Sequence, residues 1–265
     1  MSDTDKKVSI LPEVPKSVDN AIENLTDLPT KGIGQTLSDC WFLIFGGVSQ
    51  LAEKQRIKYA IDLNNFKKEL EASVSAVPES IRKEPSSQIV LSTLENAKYC
   101  VEEKELRDLF TALLTSSVDS TKIVHPSFPY IISKMSPIDA QMMKHLVRQK
   151  YFPICDIYRE TSRNGGVDII AENIFVDGPE AISVREKTLS VSALLSLGLI
   201  EIPSDLYESD PTAYSKFYES EPYLSLMGKY AKQELNLSIK FVRLSSLGKS
   251  FVSCCVTNRV YGTIK

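Results

Sequence analysis

Residues Glu105–Leu146 read ELRDLFTALLTSSVDSTKIVHPSFPYIISKMSPIDAQMMKHL. Leu106, then Leu109 or Phe110, then Leu113 recur at three- to four-residue spacing, the helical period, and with Val118 they line one apolar face. Ser136-Pro137-Ile138-Asp139 opens a further helix. Ser caps, Pro takes the first helical position where its missing N–H breaks no bond, and Asp at the third position favours the positive helix end. Between the two, His125-Pro126-Ser127-Phe128 is expected to end one helix and open the next, with Phe128, Ile131, Ile132 and Met135 as an inward stripe. Helices joined this closely favour antiparallel packing.

Upstream the same logic repeats. Leu37, Trp41, Ile44, Val48 and Leu51 follow four-three-four-three spacing, and Leu63, Phe66, Leu70, Val74 and Val77 line a helix over Glu53–Val77. Pro78 and Pro85 bracket a charged connection, since proline cannot donate the helical hydrogen bond and restricts the residue before it. A helix after Ser86 carries Val90, Leu94, Ala97 and Val101 inward. Residues 1–30, with Pro12, Pro15 and Pro29 among polar residues, read as a flexible arm.

Downstream the period changes near Pro153. PICDIYRETS and VDIIAENIFV are rich in β-branched residues and straddle Asn164-Gly165-Gly166, a hairpin signal. A helix over Val184–Leu197, closed by Gly198, precedes strands at Leu199–Ile202 and Leu237–Val242. An acidic, aromatic insertion at about 204–236 separates those strands, and a helix from Ser245 to Val256 closes the pattern. Helix, strand, return strand and helix is the order of a winged helix. The fold class expected is therefore α+β, predominantly α: an antiparallel helical bundle over 31–150, then a winged-helix-like α/β domain over 151–265. A chain of 265 residues accommodates two such units, since domains typically run about 100 to 200 residues.

Composition excludes several functional classes. With 43% hydrophobic and 25% charged residues the chain is an ordinary globular protein. A net charge of −3 gives no global pull on a polyanion, and acids in the insertion oppose phosphate contact by Arg185 and Lys187 on the candidate recognition helix. The N-terminus lacks the apolar core of a secretory signal, so a cytoplasmic protein is expected. Five cysteines with no CxxC pair, Cys254-Cys255 included, read as reduced packing thiols.

No catalytic, metal or cofactor site assembles from these residues. His125 and His145 are the two histidines, and neither has Cys, His or carboxylate at metal-ligand spacing. His125 reads as a partner of nearby backbone. Lys31-Gly32-Ile33-Gly34-Gln35-Thr36 lacks the order of a phosphate loop and reads as a helix start. Gly32–Ala52 has Asp39 as its one charge and approaches the ~20 residues of a membrane span, yet its uninterrupted apolar part is shorter. Trp41, Phe42, Ile44, Phe45 and Val48 are thus candidates for a membrane or partner helix, and a bundle helix is the simpler reading.

ELRDLFTALLTSSVDS, HPSF and SPIDA, followed by LGLIEI and LSSLGKSFV and preceded by GIGQTLSDCWFLIFGG, resemble the bacterial abortive infection alpha family over about Gly32–Val256. His125, Pro126, Ser136, Pro137, Asp139 and Ala140 stand at its motif positions. The resemblance implies a bacterial or prophage-encoded protein of phage defence, and it brings no established catalytic residues. The function expected is a non-enzymatic defence protein acting on a phage or host protein, nucleic acid being disfavoured and a homo-oligomer allowed. A membrane-active toxin using residues 32–52 and a DNA-binding regulator are the alternatives.

Overall fold

The computed structural model describes residues 34–46, 53–161, 166–204, 211–230 and 235–256. The expected arm at 1–30, Val48 and Leu51, the turn residues 162–165, and 205–210 and 231–234 of the insertion lie outside the described residues. The chain is mixed helix and strand, with a four-stranded antiparallel sheet.

Among the described residues six α-helices come first: α1 (Gln35–Phe45), α2 (Glu53–Ser75), α3 (Ser87–Ala97), α4 (Lys104–Ser117), α5 (Phe128–Ser133) and α6 (Pro137–Leu146). Their apolar stripes meet as the spacing requires. Trp41 and Phe45 of α1 and Phe66 of α2 form an aromatic cluster with centroids 4.5 to 6.5 Å apart, within the range of favourable ring contacts. Helix α4 is central and touches α2, α3, α5 and α6. Its Arg107 is buried and ties it to α2, donating to Glu69 through Nε at 2.9 Å and to the Val101 carbonyl through Nη1 at 2.7 Å.

Strands β1 (Phe152–Thr161) and β2 (Gly166–Ile174) form the expected hairpin pair, followed by α7 (Val184–Ser196) and a two-residue β3 (Ile200–Glu201). Short helices α8 (Ser215–Tyr218) and α9 (Glu221–Met227) occupy the insertion, and β4 (Asn236–Leu244) returns to the sheet. Helix α10 (Ser246–Phe251) then passes into a π-helical turn over Val252–Val256. The sheet order is β2-β1-β4-β3, so β4 pairs with β1 along most of its length and with β3 at one end.

Strand alternation divides the apolar residues into two clusters. Phe152 and Ile154 of β1 and Val242 of β4 join the main cluster, with the helices. Cys155 and Ile157 point to the opposite face and meet Phe217, Tyr223 and Leu235 of the insertion in a smaller cluster. The main cluster joins residues as far apart in sequence as Leu37 and Cys255, so the helices and the C-terminal turn share one core. Ser116 of α4 donates to the Cys254 carbonyl at 2.8 Å, and Lys122 donates to the Ser253 carbonyl at 2.7 Å.

Candidate functional site

The motif around His125 and Ser136 is a set of helix starts. His125 is exposed, and its Nδ1 accepts the Ser127 backbone N–H at 3.1 Å and lies 2.7 Å from Ser127 Oγ. That ring therefore holds the turn entering α5. It does not also end α4, which stops at Ser117 with ten residues between it and the start of α5 at Phe128; Asp119 turns the intervening chain by accepting from Thr121 N and Oγ1. Pro126 is exposed beside it.

Ser136 and Asp139 form a reciprocal capping box at α6, with Pro137 at the first helical position. Asp139 Oδ2 accepts the Ser136 N–H at 2.7 Å, and Ser136 Oγ accepts the Asp139 N–H at 3.2 Å. Ser136 Oγ also donates to Asp139 Oδ2 at 2.9 Å, so the two side chains face one another.

The α1 candidates divide by face. Trp41 and Phe45 are fully buried, Ile44 is half-buried, and Phe42 and Leu43 point outward with 59% and 70% exposure. No helix among the described residues is long and apolar enough to cross a membrane. At the start of α1 the Glu84 carboxylate accepts the Thr36 N–H at 2.8 Å, so a side chain of this protein occupies the positive helix end where a phosphate would sit. Gly34, at φ +99, makes that approach and would otherwise bring a Cβ to 3.2 Å from Glu84 Oε2.

Lys187, one of the two basic residues on the candidate recognition helix, is buried, at 5% exposure. It shares a helical face with Ser190, Val191 and Leu194, which packs inward, and its Nζ donates to the Val176 carbonyl at 3.4 Å. Only Arg185 of that pair is exposed. The thiols also follow the packing reading: burial pushes Cys155 up to about 12 and raises Cys255 well above the ordinary range, which keeps both in the unreactive form.

The surface that the sequence pattern did not single out lies on the insertion. Tyr218, Tyr223, Leu224, Met227 and Leu235 line an open groove of about 430 Å³. Tyr223 and Leu235 are its buried floor, in the smaller apolar cluster, and Tyr218 stands edge-on to Tyr223 with centroids 5.0 Å apart. Tyr218, Leu224 and Met227 form the accessible wall. Glu219 and Glu221 are exposed next to it. Aromatic enrichment between 204 and 236 was legible, whereas the convergence of Leu224, Met227 and Leu235 needs the fold of α8 and α9 beneath β4.

The match that carries identity covers most of the chain: the family description abortive infection alpha fits residues 58–255. The chain belongs to the abortive infection alpha family. That span starts within α2 and ends in the π-helical turn, so the abortive infection alpha region includes the His125 loop, the Ser136 capping box, the sheet and the insertion groove. No curated protein and no solved structure matches this abortive infection alpha chain. Membership points to a role in phage defence.

Proposed function

We propose that the chain is a non-enzymatic phage-defence protein that acts by binding a protein of phage or host through the groove on its insertion. The observation that carries this reading is the exposed wall of Tyr218, Leu224 and Met227 above a buried Tyr223 and Leu235 floor. Tyrosine and methionine with a desolvated floor are characteristic of interface anchors, since they offer much contact area at low entropic cost. Glu219 and Glu221 at the wall suit a partner with lysine or arginine beside its apolar anchor.

We also read α1 to α6 as an antiparallel bundle and the segment from α7 through α10 as a winged-helix-like unit that presents the insertion. Support comes from the contacts of α1 with α3, α2 with α4 and α3 with α4, and from the wing-like pairing of Ile200 with Leu244 and Glu201 with Arg243. Buried Lys187 and the acidic insertion favour a protein over DNA as the occupant.

Phage plating on cells carrying the gene, a deletion, or the Leu224→Asp/Met227→Asp double variant tests the proposal. The wild type should reduce plating of at least one phage in a broad panel, and the folded double variant should lose that reduction. Unchanged plating on the deletion strain across the panel removes the defence role; full restriction by the double variant removes the groove.

Outward Phe42 and Leu43 on α1 favour a second reading, a membrane-active toxin. A membrane-potential dye during expression decides it. Growth arrest at intact potential eliminates that reading.

A further inference from the structure

Helices α6 and α7 pack against one another, and their seam holds polar groups that neither the capping motif nor the groove uses. His145 lies in the last turn of α6, its ring 4.9 Å from the Phe152 ring and 6.3 Å from the Phe175 ring. Its Nε2 is buried and has no hydrogen-bond partner among the described residues. Across the seam, the stem of Lys187 passes the φ +106 Gly178; a Cβ built there would lie 3.7 Å from Lys187 Cε and 3.4 Å from Met142 Sδ. A Cβ there would make ordinary contact with both side chains, and the positive φ is what favours glycine.

The charged groups around the imidazole come from three directions. Arg148 follows α6, Lys187 belongs to α7, and Asp177 lies in the connection after β2, where it is already paired with Lys216 at 3.1 Å. The contacts from β1 and the start of that connection are the rings of Phe152 and Phe175. Lys144, one residue before His145, is paired with Asp108 of α4 at 3.3 Å. Two cations and one carboxylate, itself paired with Lys216, act on a half-buried ring whose Nε2 edge is buried and whose ring neighbours are Phe152 and Phe175. A proton added to the imidazole would set a third positive charge there, with a buried N–H that finds no acceptor.

We infer that His145 makes the α6–α7 seam a pH-sensitive joint, closed while the imidazole is neutral and loosened when it takes up a proton. Burial first, then the charge of Arg148, hold the His145 pKa below its ordinary 6.5; Asp177 opposes them, and Lys187 adds the smallest contribution in the lowering direction. The opened seam lets the imidazole bind a proton that the closed one refuses. Stability of the seam is therefore full above about 6.5 and falls as pH drops below that value toward the lowered one.

The test is amide hydrogen exchange on the full chain at pH 7.5 and 5.5, corrected for intrinsic rates, with His145→Phe and Lys187→Met variants alongside. In the wild type, protection of residues 137–146 and 184–196 should fall severalfold at the lower pH. His145→Phe keeps the ring contacts and should abolish that fall. Lys187→Met removes one repelling charge and should shrink it, which decides the matter should His145→Phe fail to fold. No fall in the wild type, or an equal fall in a folded variant, overturns the proposal.

Discussion

Single residues explain why the family motif is so legible while announcing no chemistry. Ser136 and Asp139 close a capping box whose two bonds satisfy N–H groups that the first helical turn leaves unpaired. Replacing either by Ala should cost about 0.5–2 kcal/mol, seen as a lowered melting temperature in a thermal melt, with Asp139→Asn intermediate. His125 accepts from the backbone two residues ahead, a task that asparagine also performs. His125→Asn should therefore retain both stability and phage restriction, whereas loss of restriction in a folded His125→Asn protein would give the ring a chemical role. Gly248 is a residue whose importance sequence could not show: a Cβ there would lie 1.8 Å from the Leu199 carbonyl oxygen. Gly248→Ala must push α10 off the backbone preceding β3, and overpacking of this kind costs about 1–3 kcal/mol or more. A thermal melt indistinguishable from wild type would show that this close approach is not needed.

Elements were readable wherever a period was long and clean. Helices α2, α3, α4 and α7, the capped start of α6 and the hairpin strands follow directly from apolar spacing and turn residues. The π-helical turn at Val252–Val256 was not readable, because its extra residue per turn leaves apolar spacing in SFVSCCV almost unchanged; its cause is tertiary, through the bonds from Ser116 and Lys122 to its carbonyls. The same holds for Arg107. In sequence it is one more charge on an amphipathic helix, and in the fold its guanidinium is buried between α2 and α4 with Glu69 and the Val101 carbonyl. Arg107→Met should destabilise the protein by about 1.5–3 kcal/mol, the range for hydrogen bonds to a charged group. It should do so more than Lys58→Met, which breaks the exposed pair with Glu102. Chemical denaturation of the two variants side by side checks the order, and equal midpoints would place no weight on the buried arginine.

At the scale of the whole molecule, the period change near residue 150 marks where helix gives way to strand. It carries no information about which side chains share a core. That depends on the sheet, whose alternation sends Phe152, Ile154 and Val242 toward the helices and Cys155 and Ile157 toward the insertion. Phe175, Val191, Leu194, Leu199, Phe251 and Val252 complete the same main cluster, so a chain ending at residue 150 would leave the inner faces of the helices open. Each fully buried side chain of this size contributes about 1.5–3 kcal/mol, and a folded domain retains a net stability of only about 5–15 kcal/mol. Loss of so many partners exceeds that margin. The fragment 1–150 should therefore give a poorly dispersed amide spectrum and no cooperative melt, while the full chain melts in one transition followed alike by Trp41 fluorescence and far-ultraviolet circular dichroism. Trp41 is fully buried against Phe45 and Phe66 at the far end of the main cluster from the π-helical turn in sequence, so its signal reports whether the core yields as one body. A well-dispersed spectrum from the fragment would mean that α1 to α6 close their core without the sheet, and that the bonds from Ser116 and Lys122 to the last turn join two units rather than complete one.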